Sequence, residues 1–249
     1  MPGGRFDSSK TRVAPVFDAL RSRAANWIPE FLALAEGACG SVNDSDDLTL
    51  LEGHWYPKEL CLHPPVSLLS WCVRNANRLV PQQSVDERRR KLIERDPATI
   101  SEALRCLRTQ GEGRAWYIFE GMTCPDAVLV TPDALVVIEG KRPEARTTTD
   151  TTWLAGRHQI WRHIDAAWEI RGNRSVYGLF VVESSGDSTA VPERWKVAAV
   201  ACLDETTLQT SFPHRSANEV EAISKCYLGI TTWRHVCERF AIDCRALPK

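Results

Sequence analysis

The sequence predicts an α/β protein: a mixed central sheet flanked by helices, with additional helices at both ends. Three observations carry this. Two apolar runs, residues 127–130 and 134–138, flank Thr131-Pro132-Asp133. Pro presets φ and Asp bonds its own backbone, so the unit reads as a β-hairpin. A helical pattern over 153–171 followed by the apolar run 175–183 makes strand, helix, strand after the hairpin, which implies a crossover and some parallel pairing. Finally, spacings of three and four recur in both flanks.

Taken in order, residues 1–11 read as a loose arm. Residues 12–36 read as helix, with Val13, Phe17, Leu20, Ala24, Trp27, Phe31 and Leu34 on one face and Pro29 splitting the segment. Residues 37–47 form a loop, and 48–62 are ambiguous, with room for a short strand. Pro64-Pro65 opens a helix to about Leu79, and Ser84-Val85-Asp86-Glu87 is a capping box for the next. That helix carries Arg88 to Lys91, but Glu87–Lys91 and Arg90–Glu94 are i,i+4 pairs, so a solvated face is expected. Asp96-Pro97 starts a helix to about Thr109, and 115–120 reads as a first strand. Residues 195–202 are expected as a further strand, and 219–240 as helix. The regions are 1–95, helical and packed on the core; 96–190, the core; and 191–249, an extension of the same domain.

The hairpin makes a chemical prediction. If its loop has two residues, Thr131 faces Ala134 and Asp126 faces Glu139, with Cβ atoms about 4.5–5.5 Å apart. Lys141 points to the same side one step on. Two opposed carboxylates repel unless a cation lies between them. Hard oxygen ligands suit Mg²⁺, Ca²⁺ or Mn²⁺ rather than zinc, and a nearby lysine can hold a water or offset charge on a phosphate.

Pro125-Asp126 followed by Glu139-Gly140-Lys141, in the order helix, strand, strand, strand, resembles the PD-(D/E)XK nucleases, the restriction-endonuclease-like superfamily. The resemblance spans residues 97–183. It implies a restriction-endonuclease-like core in which Asp126 and Glu139 bind Mg²⁺ or Mn²⁺, the Gly140 carbonyl adds a ligand, and Lys141 serves the attacking water. It also implies a supporting Gln on the following helix, matched by Gln159. His163 stands where that family often has an aromatic. The family's preceding helix carries an acidic residue, for which Glu102 is the candidate; Glu102 reads equally as a helix cap paired with Thr99. Arg157, Arg162 and His163 are the expected substrate contacts. The implied activity is phosphodiester hydrolysis with nucleic acid as partner, DNA favoured. The rival is a non-catalytic binding module on the same fold.

Composition narrows the rest. The chain has 249 residues, 43% hydrophobic and 25% charged, as in ordinary globular proteins. Its net charge of −1 gives no global field for nucleic acid, so any contact must be a local patch. No apolar run approaches a membrane span of about 18 residues, and no signal peptide opens the chain. The cysteine count is odd, at nine, with no CxxC, so reduced thiols in a cytoplasm-like compartment are expected. Phosphate-loop, nucleophile-elbow and HExxH motifs are absent.

Overall fold

The hairpin that the alternation predicts forms in the expected register. In the computed structural model, which describes residues 7–23, 26–38, 40–79, 86–109, 119–142, 151 and 153–248, strand Ala127–Val130 pairs antiparallel with Ala134–Lys141, Ala127 facing Ile138 and Val130 facing Leu135. The turn is closed by a side chain as well as by backbone. Thr131 N–H donates to the Ala134 carbonyl at 3.0 Å, and Ala134 N–H donates to Thr131 Oγ1 at 2.8 Å. Asp133 is spent elsewhere, accepting from Asp47 N–H at 2.8 Å.

Among the described residues six strands make one sheet: β1 Glu36–Gly37, β2 Glu52–Trp55, β3 Ala127–Val130, β4 Ala134–Lys141, β5 Ser175–Val182 and β6 Tyr227–Thr232, in the order β1-β6-β5-β4-β3-β2. The β4–β5 and β5–β6 pairs are parallel; β1–β6, β2–β3 and β3–β4 are antiparallel. The sheet is therefore mixed, and it draws strands from all three predicted regions. Ten α-helices are described: α1 Ala14–Arg21, α2 Ile28–Leu32, α3 Val66–Arg74, α4 Glu87–Ile93, α5 Pro97–Thr109, α6 Gln159–Ile170, α7 Glu193–Ala201, α8 Glu205–Ser211, α9 Ala217–Ser224 and α10 Trp233–Arg239.

Strand alternation divides the core between the two faces. Leu129, Val136, Ile138, Leu179 and Val181 pack with Val16, Phe17, Phe31 and Val236 of α1, α2 and α10. Val128, Leu135, Val137, Phe180 and Val182 pack with Ile160, Trp161, Ile164 and Trp195 of α6 and α7. A third cluster joins α3, α4 and α5 to Phe119, Trp153 and Leu154. The basic run of α4 is held as expected: Lys91 meets Glu87 at 3.3 Å and Arg90 meets Glu94 at 2.6 Å.

Several expectations are corrected. Residues 8–13 are no loose arm, because a π-helix over Ser9–Val13 runs into α1, with Val13 fully buried. The segment around 195–202 is α7, started after Pro192, with Val197 and Val200 exposed. The helix expected over 219–240 is interrupted by β6, whose six residues YLGITT are all buried. Aromatic and β-branched side chains between two sheet neighbours win over helical spacing. Gly229 makes this possible: its φ is +106°, and a Cβ there would lie 2.0 Å from the Glu36 carbonyl oxygen. α6 begins at Gln159, six residues after the expected start at Trp153. Phe119 and Glu120 are bends rather than strand, and the rest of the expected first strand, like the loop over 143–150, lies outside the described residues. Finally, Cys61 and Cys124 form a disulfide. This overturns the expectation of uniformly reduced thiols and removes the argument for a cytoplasm-like compartment. No described helix is long and apolar enough to cross a membrane.

Candidate functional site

The hairpin register carries Asp126, just before β3, to the end of β4, where Glu139, Gly140 and Lys141 follow one another. The Asp126 Oδ2 atom accepts the Gly140 N–H at 2.8 Å. Lys141 Nζ lies 3.0 Å from Glu139 Oε1. Parallel pairing of β4 with β5 requires a crossover, and α6 provides it across this face. Its first turn brings Gln159 Nε2 to Glu139 Oε1 at 2.6 Å, and one turn later His163 Nε2 reaches Glu139 Oε2 at 3.0 Å. Four side chains predicted from sequence, Asp126, Glu139, Lys141 and Gln159, are thus gathered in one place. Glu139 and Lys141 are only 5% and 6% exposed.

Burial first, and then the charge of Glu139, push the Asp126 carboxyl up to about 7, against the hydrogen bonds from Ser9 and Gly140 and the charge of Lys141. Burial works the same way on Glu139, but His163 and Lys141 outweigh it and hold that carboxyl below its ordinary value. The pair therefore splits: Glu139 keeps its charge and Asp126 holds its proton readily. Two carboxylates sharing one ammonium leave surplus negative charge when both ionise. An oxygen-donor pair with that surplus fits a hard divalent cation such as Mg²⁺. The amide oxygen of Gln159 is buried beside them without a partner. Among the described residues no three His, Cys, Asp or Glu side chains converge as a metal cage. The fit is to an ion that takes one or two protein carboxylates and completes its shell from water, backbone and substrate.

Other predicted site residues fall differently. Glu102 is exposed on α5, and α5 packs in the α3–α5 cluster. The cap of that helix is Asp96, which accepts from Thr99 N–H at 2.8 Å and from Thr99 Oγ1 at 2.6 Å, so the capping role belongs to Asp96 rather than Glu102. Arg157 is a correction as well. Its side chain is fully buried, bound to Glu120, to Asp165 at 2.5 Å and to the Ser211 carbonyl at 2.9 Å, so it ties the start of α6 to neighbouring segments and offers nothing to a substrate. His163, 2% exposed, stands behind Glu139 rather than facing outward. Arg162 keeps a partly open side chain, 3.7 Å from Glu120, with an Nε that has no hydrogen-bond partner.

Sequence reasoning missed two participants. Ser9 Oγ donates to Asp126 Oδ1 at 2.5 Å, so the helix that reaches the acid pair is the N-terminal one rather than α5. Thr123 Oγ1 lies 2.8 Å from His163 Nδ1. Neither belongs to a periodic pattern that reading the chain would flag. Compared with family models, curated proteins and solved structures, the chain matches none.

Proposed function

We propose that this protein is a Mg²⁺- or Mn²⁺-dependent nuclease of restriction-endonuclease-like type that hydrolyses phosphodiester bonds, with DNA the favoured substrate. The observation that carries the reading is the convergence of Lys141 and Gln159 on Glu139, with Asp126 bound to the Gly140 N–H beside it, at the end of β4. Asp126 and Glu139 would hold the ion, with the Gly140 carbonyl as a further ligand. When bound, it supplies Lewis acidity, acidifying water and offsetting the charge of a phosphate. Lys141, anchored on Glu139, would hold the attacking water by hydrogen bonding and balance charge developing on phosphorus-bound oxygens. Gln159 fixes one Glu139 oxygen and leaves its own carbonyl free to orient water. Arg162, partly exposed on α6 and paired with Glu120 at 3.7 Å, is a cation suited to a backbone phosphate.

A second reading has its own support. Both Glu139 oxygens already have protein donors, which also suits a non-catalytic nucleic-acid or protein binding module. Cleavage assays on single- and double-stranded DNA and RNA, with and without Mg²⁺, decide between them. The nuclease reading expects divalent-dependent cleavage that Asp126→Ala and Lys141→Ala abolish in folded protein. Cleavage that survives both substitutions, or no cleavage of any substrate, overturns it.

A further inference from the structure

We infer that Thr123 is a positioning residue: through the imidazole of His163 it fixes the orientation of the Glu139 carboxylate. That this serves metal binding rests on the nuclease reading above; the hydrogen-bond chain itself does not.

The chain of contacts is short and buried. Thr123 Oγ1 lies 2.8 Å from His163 Nδ1, and His163 Nε2 lies 3.0 Å from Glu139 Oε2. Exposures are 6%, 2% and 5% for Thr123, His163 and Glu139. An ionised carboxylate only accepts hydrogen bonds, so Nε2 must carry a hydrogen. In the neutral ring Nδ1 is then the acceptor, and the Thr123 hydroxyl donates to it. The carboxylate sets the tautomer, and the hydroxyl completes it by occupying the bare Nδ1, which anchors the ring in the plane that aims Nε2 at Glu139. Lys141 and Gln159 both bind Oε1. His163 is the donor on Oε2, so losing its aim frees the carboxylate to rotate about the Oε1 contacts.

Thr123 is itself held firmly. Its N–H donates to the Leu62 carbonyl at 2.9 Å, and its carbonyl accepts the Leu62 N–H at 2.8 Å. These two bonds form an isolated antiparallel bridge. The flanking residues Cys61 and Cys124 are joined by the disulfide. The donor that anchors the imidazole thus sits on a covalently stapled bridge, outside β3 and β4. Groups behind a ligand in this way typically change metal affinity or activity by about 10–100-fold when removed.

The test compares Thr123→Val, which keeps the shape and loses the hydroxyl, with Thr123→Ser, which keeps the hydroxyl. Nitrogen-15 NMR of the His163 ring, at a pH where the ring is neutral, reads the tautomer without reference to activity. All three proteins are expected to show hydrogen on Nε2, with the Nδ1 resonance hydrogen-bonded in wild type and Thr123→Ser and shifted to that of a bare nitrogen in Thr123→Val. Mn²⁺ affinity is expected to fall about 10–100-fold in Thr123→Val and to return to within about threefold of wild type in Thr123→Ser. A wild-type ring with hydrogen on Nδ1 overturns the inference even if Thr123→Val does not fold. So does a Thr123→Val protein with a wild-type Nδ1 resonance and wild-type Mn²⁺ affinity. If the ring nitrogens behave as expected but wild type neither binds Mn²⁺ nor cleaves, the nuclease reading fails and the hydrogen-bond chain stands.

Discussion

Asp126 is where the site's function and the fold's stability conflict. Its carboxyl is raised to about 7 from an ordinary 3.8, by burial and then by Glu139. Between those values the native state holds a proton that the unfolded chain has released, so this residue makes stability fall as pH rises through the window. The loss is complete above about pH 7 and absent below the unfolded value. Asp126→Asn removes the ionisation and keeps an acceptor for the Gly140 N–H. With chelator present, it is expected to stabilise the protein by roughly 1–3 kcal/mol near pH 8, discounted for partial exposure, and by almost nothing near pH 3.5. Urea melts at the two pH values measure this, and equal stability of the two proteins near pH 8 would contradict it. Glu139 runs the other way, contributing stability that is lost as pH falls through its depressed value. At this scale the sequence was legible wherever strand period and a tight turn fixed geometry. The register that carries Asp126 to the end of β4 followed from Thr131-Pro132-Asp133 and the apolar runs beside it. Ser9 and Thr123 were not legible, because both reach the site through tertiary approach, over 117 residues from Asp126 in one case and 40 from His163 in the other.

At the scale of elements, α6 does two jobs with opposite ends of its polar content. Gln159 and His163 hold Glu139, whereas Arg157, just ahead of the helix, and Asp165 within it form a buried ion cluster that also takes in Glu120, His214 and Arg215. Removing one partner of a buried pair costs about 3–5 kcal/mol because the other charge is left unmatched. Arg157→Met is therefore expected to lose about 3 kcal/mol in denaturant melts while the folded protein keeps its Mn²⁺ affinity within about twofold. Unchanged stability with weakened substrate binding would return Arg157 to the substrate. Sequence periodicity placed the α6 pattern but could not tell its polar face from a solvated one, since burial of Arg157 and Asp165 depends on segments some 50 residues away. The same blindness merged α9, β6 and α10 into one helix. Tyr227–Thr232 reads as strand only once β5 and β1 are known to lie on either side.

At the scale of the whole molecule, the sheet gathers distant parts of the chain around one edge of chemistry. The N-terminal π-helix, the hairpin, α6 and the Cys61–Cys124 staple all meet near Glu139. Closing a loop with a sequence separation of 63, the disulfide contributes about 4 kcal/mol in the chain-entropy account. The predicted α/β class with a mixed sheet and helices at both ends is what the molecule has, but the division into three regions does not follow its layers, because β1, β2 and β6 complete a sheet centred on β4. What this assembly leaves at its centre is an acid pair that Lys141 and the His163 donor offset only in part, and the account rests on a divalent cation completing it. The direct measurement is calorimetric titration of the metal-free full chain with Mn²⁺, beside the Glu139→Ala protein shown to be folded. The account predicts saturable binding by wild type and an affinity lower by at least about tenfold in Glu139→Ala. Absence of binding by wild type, or equal binding by both, would contradict it.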